Sequence, residues 1–364
     1  MMENKRLFLA AALMFVVFLL WQNWMEFQAK KHPLLTSPVA TAPENISGSV
    51  MSSELPGQDV PTAAPSVGAG PLTFGSGPLG SGRRIRVTTD LFDAEIDTMG
   101  GDLRRFGLRT YPESVQQPDQ PFQLLRDSGA EIFIAQSGLV ALNNAPAPNH
   151  YAPFTSEHSE YQLAEGQDTL EVRLNWVDPM GLKVVKTYTF QRGSFLAELN
   201  QRVENSSASD WQGSQYRQFQ RTPPKTSNSY FGGGVITYTG AVVSTSEQRY
   251  EKISFDAITK QELNQSVKGG WIAMIQHYFL GAWIPNADET DDFYTKVVNG
   301  NRYVIGMRGA VQTVPAGATG NFRTRLYVGP KLSDVLEEIA PNLQLTVDYG
   351  KLTIIAEPLF WLLK

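Results

Sequence analysis

The stretch Thr169–Glu204, TLEVRLNWVDPMGLKVVKTYTFQRGSFLAELNQRVE, predicts three consecutive antiparallel strands. Its first segment alternates between apolar and polar residues, with Leu170, Val172, Leu174 and Trp176 on one side and Glu171, Arg173 and Asn175 on the other. Turn residues separate the three segments, at Asp178–Gly181 and again at Arg192–Gly193. Alternation of period two, interrupted by turn residues, is typical of a sheet with one buried and one wet face.

Further alternating runs lie on both sides of this stretch and are separated by turn residues. They are Arg84–Thr88, Leu91–Thr98, Gly234–Tyr238, Trp271–Ile284, Phe293–Val298, Tyr303–Met307 and Thr324–Val328. Many strands joined by turns, with almost no long helical pattern between them, are typical of a β-sandwich. The sequence therefore predicts a mainly β fold, a large antiparallel β-sandwich, over residues 83–330.

The composition of the chain excludes several classes of function. The 364 residues include no cysteine, which rules out disulfides, thiolate metal sites and cysteine nucleophiles. A formal net charge of -5 argues against a nucleic-acid surface, which is normally basic. Hydrophobic residues make up 42% of the chain, which is enough for a sizeable core.

An apolar stretch near the N-terminus predicts a transmembrane anchor within residues 1–27. As a helix rising about 1.5 Å per residue, Leu7–Trp24 spans roughly 27 Å, close to the hydrocarbon core of about 30 Å. Lys5 and Arg6 precede it, so the positive-inside rule predicts a cytoplasmic N-terminus. The residues predicted to lie in the bilayer are Leu7, Phe8, Leu9, Ala10, Ala11, Ala12, Leu13, Met14, Phe15, Val16, Val17, Phe18, Leu19, Leu20, Trp21 and Trp24.

A cleaved signal peptide is the alternative, because it shares the charged start and the apolar core. A signal peptide needs small residues before its cleavage site, whereas here Trp21, Trp24, Met25 and Phe27 follow the core. This sequence favours an uncleaved anchor.

Residues 28–82 are crowded with Pro, Ala, Ser, Thr and Gly and show no sustained apolar periodicity. Such a segment buries too little surface to offset the entropy of ordering it. We expect a disordered tether between the anchor and the β-sandwich.

The pattern changes from strand to helix after residue 330. Apolar residues recur at helical spacing at Leu332, Val335, Leu336 and Ile339. Ser333 is placed to cap this helix and Pro341 to end it, which predicts a packing helix over residues 331–342.

Residues 343–364 predict a connector followed by an amphipathic segment at the membrane interface, leading to a second transmembrane helix that this chain does not contain. The apolar residues expected at the interface are Leu352, Ile355, Leu359, Phe360, Trp361, Leu362 and Leu363. Pro358 would kink or divide such a helix. A helix packed on the β-sandwich is the alternative.

No catalytic or metal site emerges from the residues, and no cofactor is implied. The chain has four histidines, at His32, His150, His158 and His277, and none has metal-ligand spacing. His277, between Gln276 and Tyr278 in the predicted strand Trp271–Ile284, is the one candidate for a cleft. A solvated acidic turn is predicted at Asp288, Glu289, Asp291 and Asp292.

An ordered set of segments, taken together, resembles the YidC family of bacterial inner-membrane insertases, in its Gram-negative form. These segments are Asn4–Trp24, Gly100–Asp102, Gln120–Leu125, Ala135–Leu139, Leu163–Gln167, Arg249–Lys252, Lys268–Trp271, Ala282–Pro285, Leu345–Gly350 and Pro358–Lys364. The resemblance covers the chain from end to end, and the tether is the part least alike.

The resemblance implies a periplasmic β-supersandwich, similar to galactose mutarotase, with residues 28–350 in the periplasm of an inner-membrane protein. It implies a non-enzymatic role in the insertion and folding of nascent inner-membrane proteins, in contact with the lipid bilayer, the Sec translocon and its accessory subunits. The family's insertase core, a bundle of five further transmembrane helices, is absent here, so we expect the N-terminal part of a longer protein.

A second hypothesis comes from another class of protein. The fold resemblance also suggests a membrane-tethered carbohydrate-binding or aldose-epimerase-like domain. An epimerase needs a histidine and a carboxylate that converge on a sugar. His277 with a nearby Asp or Glu is the one plausible pair.

Overall fold

Strands account for most of the residues that the computed structural model describes, which are 60–61, 79–129, 131–224, 238–298 and 301–347. The predicted membrane anchor, most of the tether and the predicted interfacial segment lie outside these residues. Among the described residues, no helix combines the length and the apolar character needed to cross a bilayer.

The described residues form 19 strands. They are β1 Arg84–Thr88, β2 Phe92–Asp97, β3 Asp102–Ser114, β4 Gln117–Leu125, β5 Phe133–Ala141, β6 Glu160–Gln162, β7 Thr169–Val177, β8 Leu182–Gln191, β9 Leu196–Asn205, β10 Trp211–Arg221, β11 Gly240–Ser244, β12 Glu251–Ile253, β13 Asn264–Lys268, β14 Trp271–Gln276, β15 Phe279–Ile284, β16 Thr290–Val298, β17 Arg302–Arg308, β18 Gln312–Val314 and β19 Thr319–Pro330. Helices α1, Phe255–Lys260, and α2, Ser333–Ile339, and 3-10 turns at Leu142–Asn144 and Leu343–Thr346 complete the described elements.

The strands form an 11-stranded and an 8-stranded sheet. The first has the order β13-β16-β17-β10-β5-β3-β2-β1-β6, with β18 beside β10 and β4 beside β3, and the second has the order β12-β11-β14-β15-β19-β9-β8-β7. Among these described strands the pairing is antiparallel except between β1 and β6. A single apolar cluster contains side chains of both sheets, such as Phe106 and Ile272. The predicted antiparallel β-sandwich is confirmed.

The opening stretch of the sequence forms the meander β7–β8–β9 that its alternation predicts. Val172 pairs with Tyr188, and Tyr188 pairs with Leu199, so the three side chains share the inner face. All three are 1% exposed or less. The turns at Asp178–Gly181 and Arg192–Gly193 separate the strands as expected.

The predicted single strand Trp271–Ile284 is wrong, because it is the hairpin β14–β15. Gln276 pairs with Phe279, which leaves His277 and Tyr278 as a two-residue turn. Turn residues such as Gly, Asn or Asp are missing at this position, so the sequence shows an uninterrupted run. His277 therefore lies in an exposed turn and not within a strand.

The helix predicted over residues 331–342 is shorter than expected. Ser333 is its first helical residue, Leu332 holds the capping position, and the helix has no side-chain cap. Leu336 and Leu343 pack on the outer face of the 8-stranded sheet, beside Trp271. Leu332 and Val335, expected on the apolar face of the helix, are 43% and 39% exposed.

The predicted solvated acidic turn at 288–292 is wrong at Asp292, which lies in β16 and pairs with Arg308, and at Asp291. Asp291 also lies in β16, is 0% exposed, and its Oδ1 accepts a hydrogen bond of 2.7 Å from Nη2 of Arg217. Burial raises the pKa of Asp291, and Arg217 opposes that rise. The partner is 74 residues away in the sequence, and local patterns do not show such pairs.

Candidate functional site

A cleft opens where strands of the two sheets end, between the β3–β4 hairpin and the β14–β15 turn. Its volume is about 650 Å³. We call it the Arg221 cleft and define it by Tyr111, Phe122, Phe133, Arg221, Gln276 and Phe279, which line it. Its size falls within the range of small-molecule sites, about 300–1,000 Å³.

Aromatic side chains from both sheets form one wall of the Arg221 cleft. Phe122 of β4 stacks on Phe279 of β15, with ring centroids 4.5 Å apart and an interplanar angle of 19°. Tyr111 of β3 meets Phe279 edge to face, at 5.4 Å and 87°. Phe122 is only partly buried, so the wall presents apolar surface to the cleft.

Arg221, the last residue of β10, carries a buried positive charge at the cleft. The residue is 7% exposed, and its guanidinium carbon lies 4.6 Å from the ring centroid of Phe133. Nη2 donates a hydrogen bond to Oε1 of Gln276, whereas Nη1 has no hydrogen-bond partner among the described residues. Burial lowers the pKa of Arg221 to about 9, so the guanidinium stays protonated at neutral pH.

Other charged side chains also line the cleft. Arg126 donates to the backbone oxygen of Gln123 at 2.6 Å, and its Nη2 lies 3.9 Å from Oε1 of Glu113. Glu131 lines the same cleft and is exposed. Arg126 is therefore engaged by its own neighbours, whereas Arg221 has a buried donor without a partner among the described residues.

His277, the residue that the sequence selected, lies at the rim of the Arg221 cleft. Its ring centroid is 3.8 Å from that of Tyr278, which is 69% exposed. Glu113 and Glu131 line the same cleft as His277, and its role there stays a prediction.

Sequence reasoning missed Arg221, although the alternation contained a signal. Residues two apart in a strand share a face, so Phe219 and Arg221 point the same way. Phe219 is 0% exposed and packs beside Phe133, which places Arg221 over the same interior. The signal is a charged residue two positions after a buried phenylalanine in a strand, because both side chains then lie on the same face.

A second hollow, of about 820 Å³, lies on the outer face of β7, β8, β9 and β19. Its side chains carry both signs of charge and pair with each other, as Arg173 does with Glu171 and Lys183 with Glu204. These four side chains are between 28% and 66% exposed. A mixed and self-paired surface of this kind is typical of a solvated sheet face.

A buried ionic cluster joins the two sheets, and we call it the Lys186 seam: Lys186, Asp102, Gly100 and Ser137. Nζ of Lys186 donates to the backbone oxygens of Gly100 at 2.8 Å and Ser137 at 2.9 Å, and lies 4.0 Å from Oδ1 of Asp102. Lys186 and Asp102 are both 0% exposed. Burial lowers the pKa of Lys186 to about 8, and Asp102 limits the fall.

Gly100 directs its carbonyl oxygen to Lys186 through an unusual backbone conformation. Its φ of +78° is in the left-handed region that glycine favours, and a Cβ there would lie 2.5 Å from the backbone oxygen of His150. The seam thus depends on a residue without a side chain.

The fold and the two sites describe an antiparallel β-sandwich domain with a cleft at the ends of its two sheets. The family model for the YidC periplasmic domain matches residues 84–362. The chain belongs to this family.

Curated relatives support the same assignment. The membrane protein insertase YidC of Nitrosococcus oceani is 40% identical over 365 residues, which cover 100% of this chain and 64% of the relative. The protein of the same name from Methylococcus capsulatus is 48% identical over 282 residues, which cover 78% of this chain and 51% of the relative. The chain thus spans about half to two thirds of the length of these relatives.

Solved structures resemble the domain more distantly. A galactose mutarotase related enzyme from Lactobacillus acidophilus has a TM-score of 0.42 and 9% identity, covering 67% of this chain and 97% of the other. A putative aldose 1-epimerase from Escherichia coli has a TM-score of 0.38 and 9% identity, covering 67% and 98%.

Proposed function

We propose that this chain forms the membrane anchor and periplasmic part of an insertase. In this role it assists the insertion, folding and assembly of inner-membrane proteins, alone or with the Sec translocon. The observation that carries the proposal is the family match over residues 84–362, joined to alignments that cover 100% of this chain and 64–65% of proteins named membrane protein insertase. The domain acts by binding and positioning and not by catalysis.

The proposed topology places the N-terminus in the cytoplasm, Leu7–Trp24 in the inner membrane and residues 28–350 in the periplasm. Cysteine labelling tests it cleanly, because the chain has no cysteine of its own. Val115, in the β3–β4 turn, is 91% exposed and suits a Val115→Cys probe. A maleimide that cannot cross membranes should label this variant in intact spheroplasts, whereas Asn4→Cys should react only after lysis. The opposite pattern would contradict the topology.

The proposed partners are the lipid bilayer, nascent inner-membrane proteins and the Sec translocon with its accessory subunits. Photo-crosslinkers at two exposed positions test this in cells. Tyr278, at the cleft rim, is 69% exposed, and Met180, in the β7–β8 turn, is 76% exposed. Because exposure is matched, a difference between the two yields reports which face meets the partner.

We expect mass spectrometry of the crosslinked products to identify nascent membrane proteins or Sec subunits from at least one position. Comparable expression of both variants is the control. If both positions capture only soluble periplasmic proteins, the proposed function is wrong.

A further inference from the structure

We propose that the Arg221 cleft binds a carboxylate attached to an aromatic or aliphatic group, with the carboxylate at the guanidinium of Arg221. Two sources have this chemistry: a small free acid, or an acidic residue beside an apolar residue in an extended polypeptide. The proposal rests on the geometry of the cleft and goes beyond the proposed insertase function, which would stand without it.

The hydrogen bonding of Arg221 is incomplete. A guanidinium has five N–H donors, and a buried cation normally has them engaged. Here Nη2 reaches Gln276, Nη1 has no partner among the described residues, and the residue is 93% buried (7% exposed). A negatively charged acceptor would pair with the Nη1 donor and would also balance the buried positive charge. Hydrogen bonds between a guanidinium and a charged acceptor are among the strong ones.

The cleft also has an apolar, aromatic wall, which contrasts with the charged guanidinium of Arg221. Phe122, Phe279 and Tyr111 provide stacked and edge-on rings that line the same cleft as Arg221. Small-molecule sites combine such apolar walls with a few polar groups that fix orientation. A ligand that satisfies both parts carries an apolar group and an acceptor on the same molecule.

The charges that line the cleft favour a ligand with a single negative charge. Glu113 and Glu131 also line the cleft, and Arg126 is engaged by Gln123 and Glu113. A phosphate or sulfate ester, with more charge, would face two carboxylates against one available guanidinium. A monocarboxylate matches this balance better.

The test is calorimetric titration of the chain in lipid nanodiscs with matched acid and amide probes. The small probes are 3-phenylpropionate and 3-phenylpropanamide. The peptide probes are N-acetyl-Phe-Glu-Phe-amide and its Gln counterpart. We expect at least one acid to bind about tenfold or more tightly than its neutral partner.

Variants locate that preference. In Arg221→Met the acid and the neutral partner should bind equally, and in Arg221→Lys part of the preference should return. Arg173→Met, on the outer face of the sheet, removes an exposed arginine and should leave the preference unchanged. Phe122→Ala should weaken the acid and the neutral probe by the same factor, so it tests the wall even if Arg221→Met fails to fold.

The outcomes separate the sources. A preference confined to 3-phenylpropionate indicates a free acid, and one confined to the Glu peptide indicates a polypeptide segment. Equal binding of acid and neutral probes to the wild-type chain overturns the proposal. A preference that survives in a folded Arg221→Met variant overturns it as well.

Discussion

The Lys186 seam and the Arg221 cleft each hold a buried cation, and they differ in how that cation is satisfied. Lys186 is 0% exposed, donates to two backbone oxygens and faces Asp102 across 4.0 Å. Arg221 is 7% exposed, donates to one side-chain amide and keeps Nη1 without a partner among the described residues. Burial lowers the pKa of both groups.

This difference in hydrogen bonding separates a cation with a structural role, Lys186, from a cation proposed to bind a ligand, Arg221. At the seam, the acceptors belong to the fold. Ser137 lies in β5 of the sheet opposite the one that carries Lys186, and Gly100 lies in the turn between β2 and β3 of that sheet, so the cation joins the two sheets.

At the cleft, the acceptors are fewer and a cavity lies beside the cation. A lowered pKa alone therefore does not indicate function. Arg104, buried beside Asp102, also has nitrogens without partners among the described residues, so the cavity next to Arg221 is what distinguishes the two sites.

The largest expected effect comes from removing the carboxylate of the seam. Asp102→Ala leaves both Lys186 and Arg104, whose Nη2 lies 3.4 Å from Oδ2 of Asp102, buried without their counter-ion. Such a loss costs about 3–5 kcal/mol of unfolding free energy in comparable buried pairs. Urea unfolding of the chain in nanodiscs measures it. The matched control is Asp93→Ala, because Asp93 is 50% exposed and lies 3.7 Å from Arg109 in a surface pair, so its loss should cost less than about 1 kcal/mol. Equal losses in the two variants would contradict the assignment of the seam.

The next prediction compares the two cations directly. Lys186→Met leaves the oxygens of Gly100 and Ser137 buried without their donor and should lower the unfolding free energy by about 2–4 kcal/mol. Arg221→Met removes a buried charge with fewer partners and should cost about 1 kcal/mol or less. Denaturant midpoints of both variants check the difference. If Arg221→Met lowers the unfolding free energy as much as Lys186→Met does, the role of Arg221 is structural as well.

The sign of the change in unfolding free energy with pH should reveal the lowered pKa of Lys186. In the unfolded chain this lysine keeps its proton up to pH 10.5, its ordinary pKa, but in the folded chain only up to about 8. Between these values the unfolded state binds more protons, so the unfolding free energy rises with pH. The rise should be about 2–3 kcal/mol between pH 8 and 10, at about 1.4 kcal/mol per unit.

Tyrosines set the upper limit of that window. Burial raises the pKa of Tyr188, Tyr238 and Tyr327, so above pH 10 they ionise first in the unfolded chain and stability falls. Unfolding followed in Lys186→Met is the control. The lowered pKa of Arg221, about 9, makes a rise above pH 9 common to both chains, so Lys186 is reported by the difference between the two profiles, which should grow by about 2 kcal/mol between pH 8 and 10. A difference that does not change with pH would contradict the lowered pKa of Lys186.

Alternation along the chain was enough to predict the sandwich. β8 and β9 bury every second residue, β7 does so at Val172 and Leu174, and short turns separate the three strands, so local pattern and tertiary structure agree. It failed at the β14–β15 turn, where Gln276, His277 and Tyr278 include no residue that marks a turn. It failed also at Asp291, whose ion-pair partner Arg217 is distant in sequence.

The two sites were less accessible to sequence reasoning than the fold. Lys186 stands at an inward position of β8, where alternation indicates burial, but its acceptors at Gly100 and Ser137 come from segments 86 and 49 residues away. The Arg221 cleft needs the ends of both sheets in place before it exists. The sequence indicates His277 as a cleft residue, and it does not indicate Arg221, the buried cation that lines the same cleft.

The smallest expected effect concerns the charged hollow on the outer sheet face, and it tests whether burial is what makes the seam strong. Arg173 and Glu171 pair there while 66% and 47% exposed. A double-mutant cycle with Arg173→Ala and Glu171→Ala should give a coupling of about 0.2–1 kcal/mol, because solvent screens the charges and the side chains lose entropy on pairing. The coupling should shrink further in 1 M salt, where the Debye length is about 3 Å. A coupling as large as the loss in Asp102→Ala, or one unchanged by salt, would contradict the conclusion that burial is what makes the ion pair of the Lys186 seam stronger than this exposed pair.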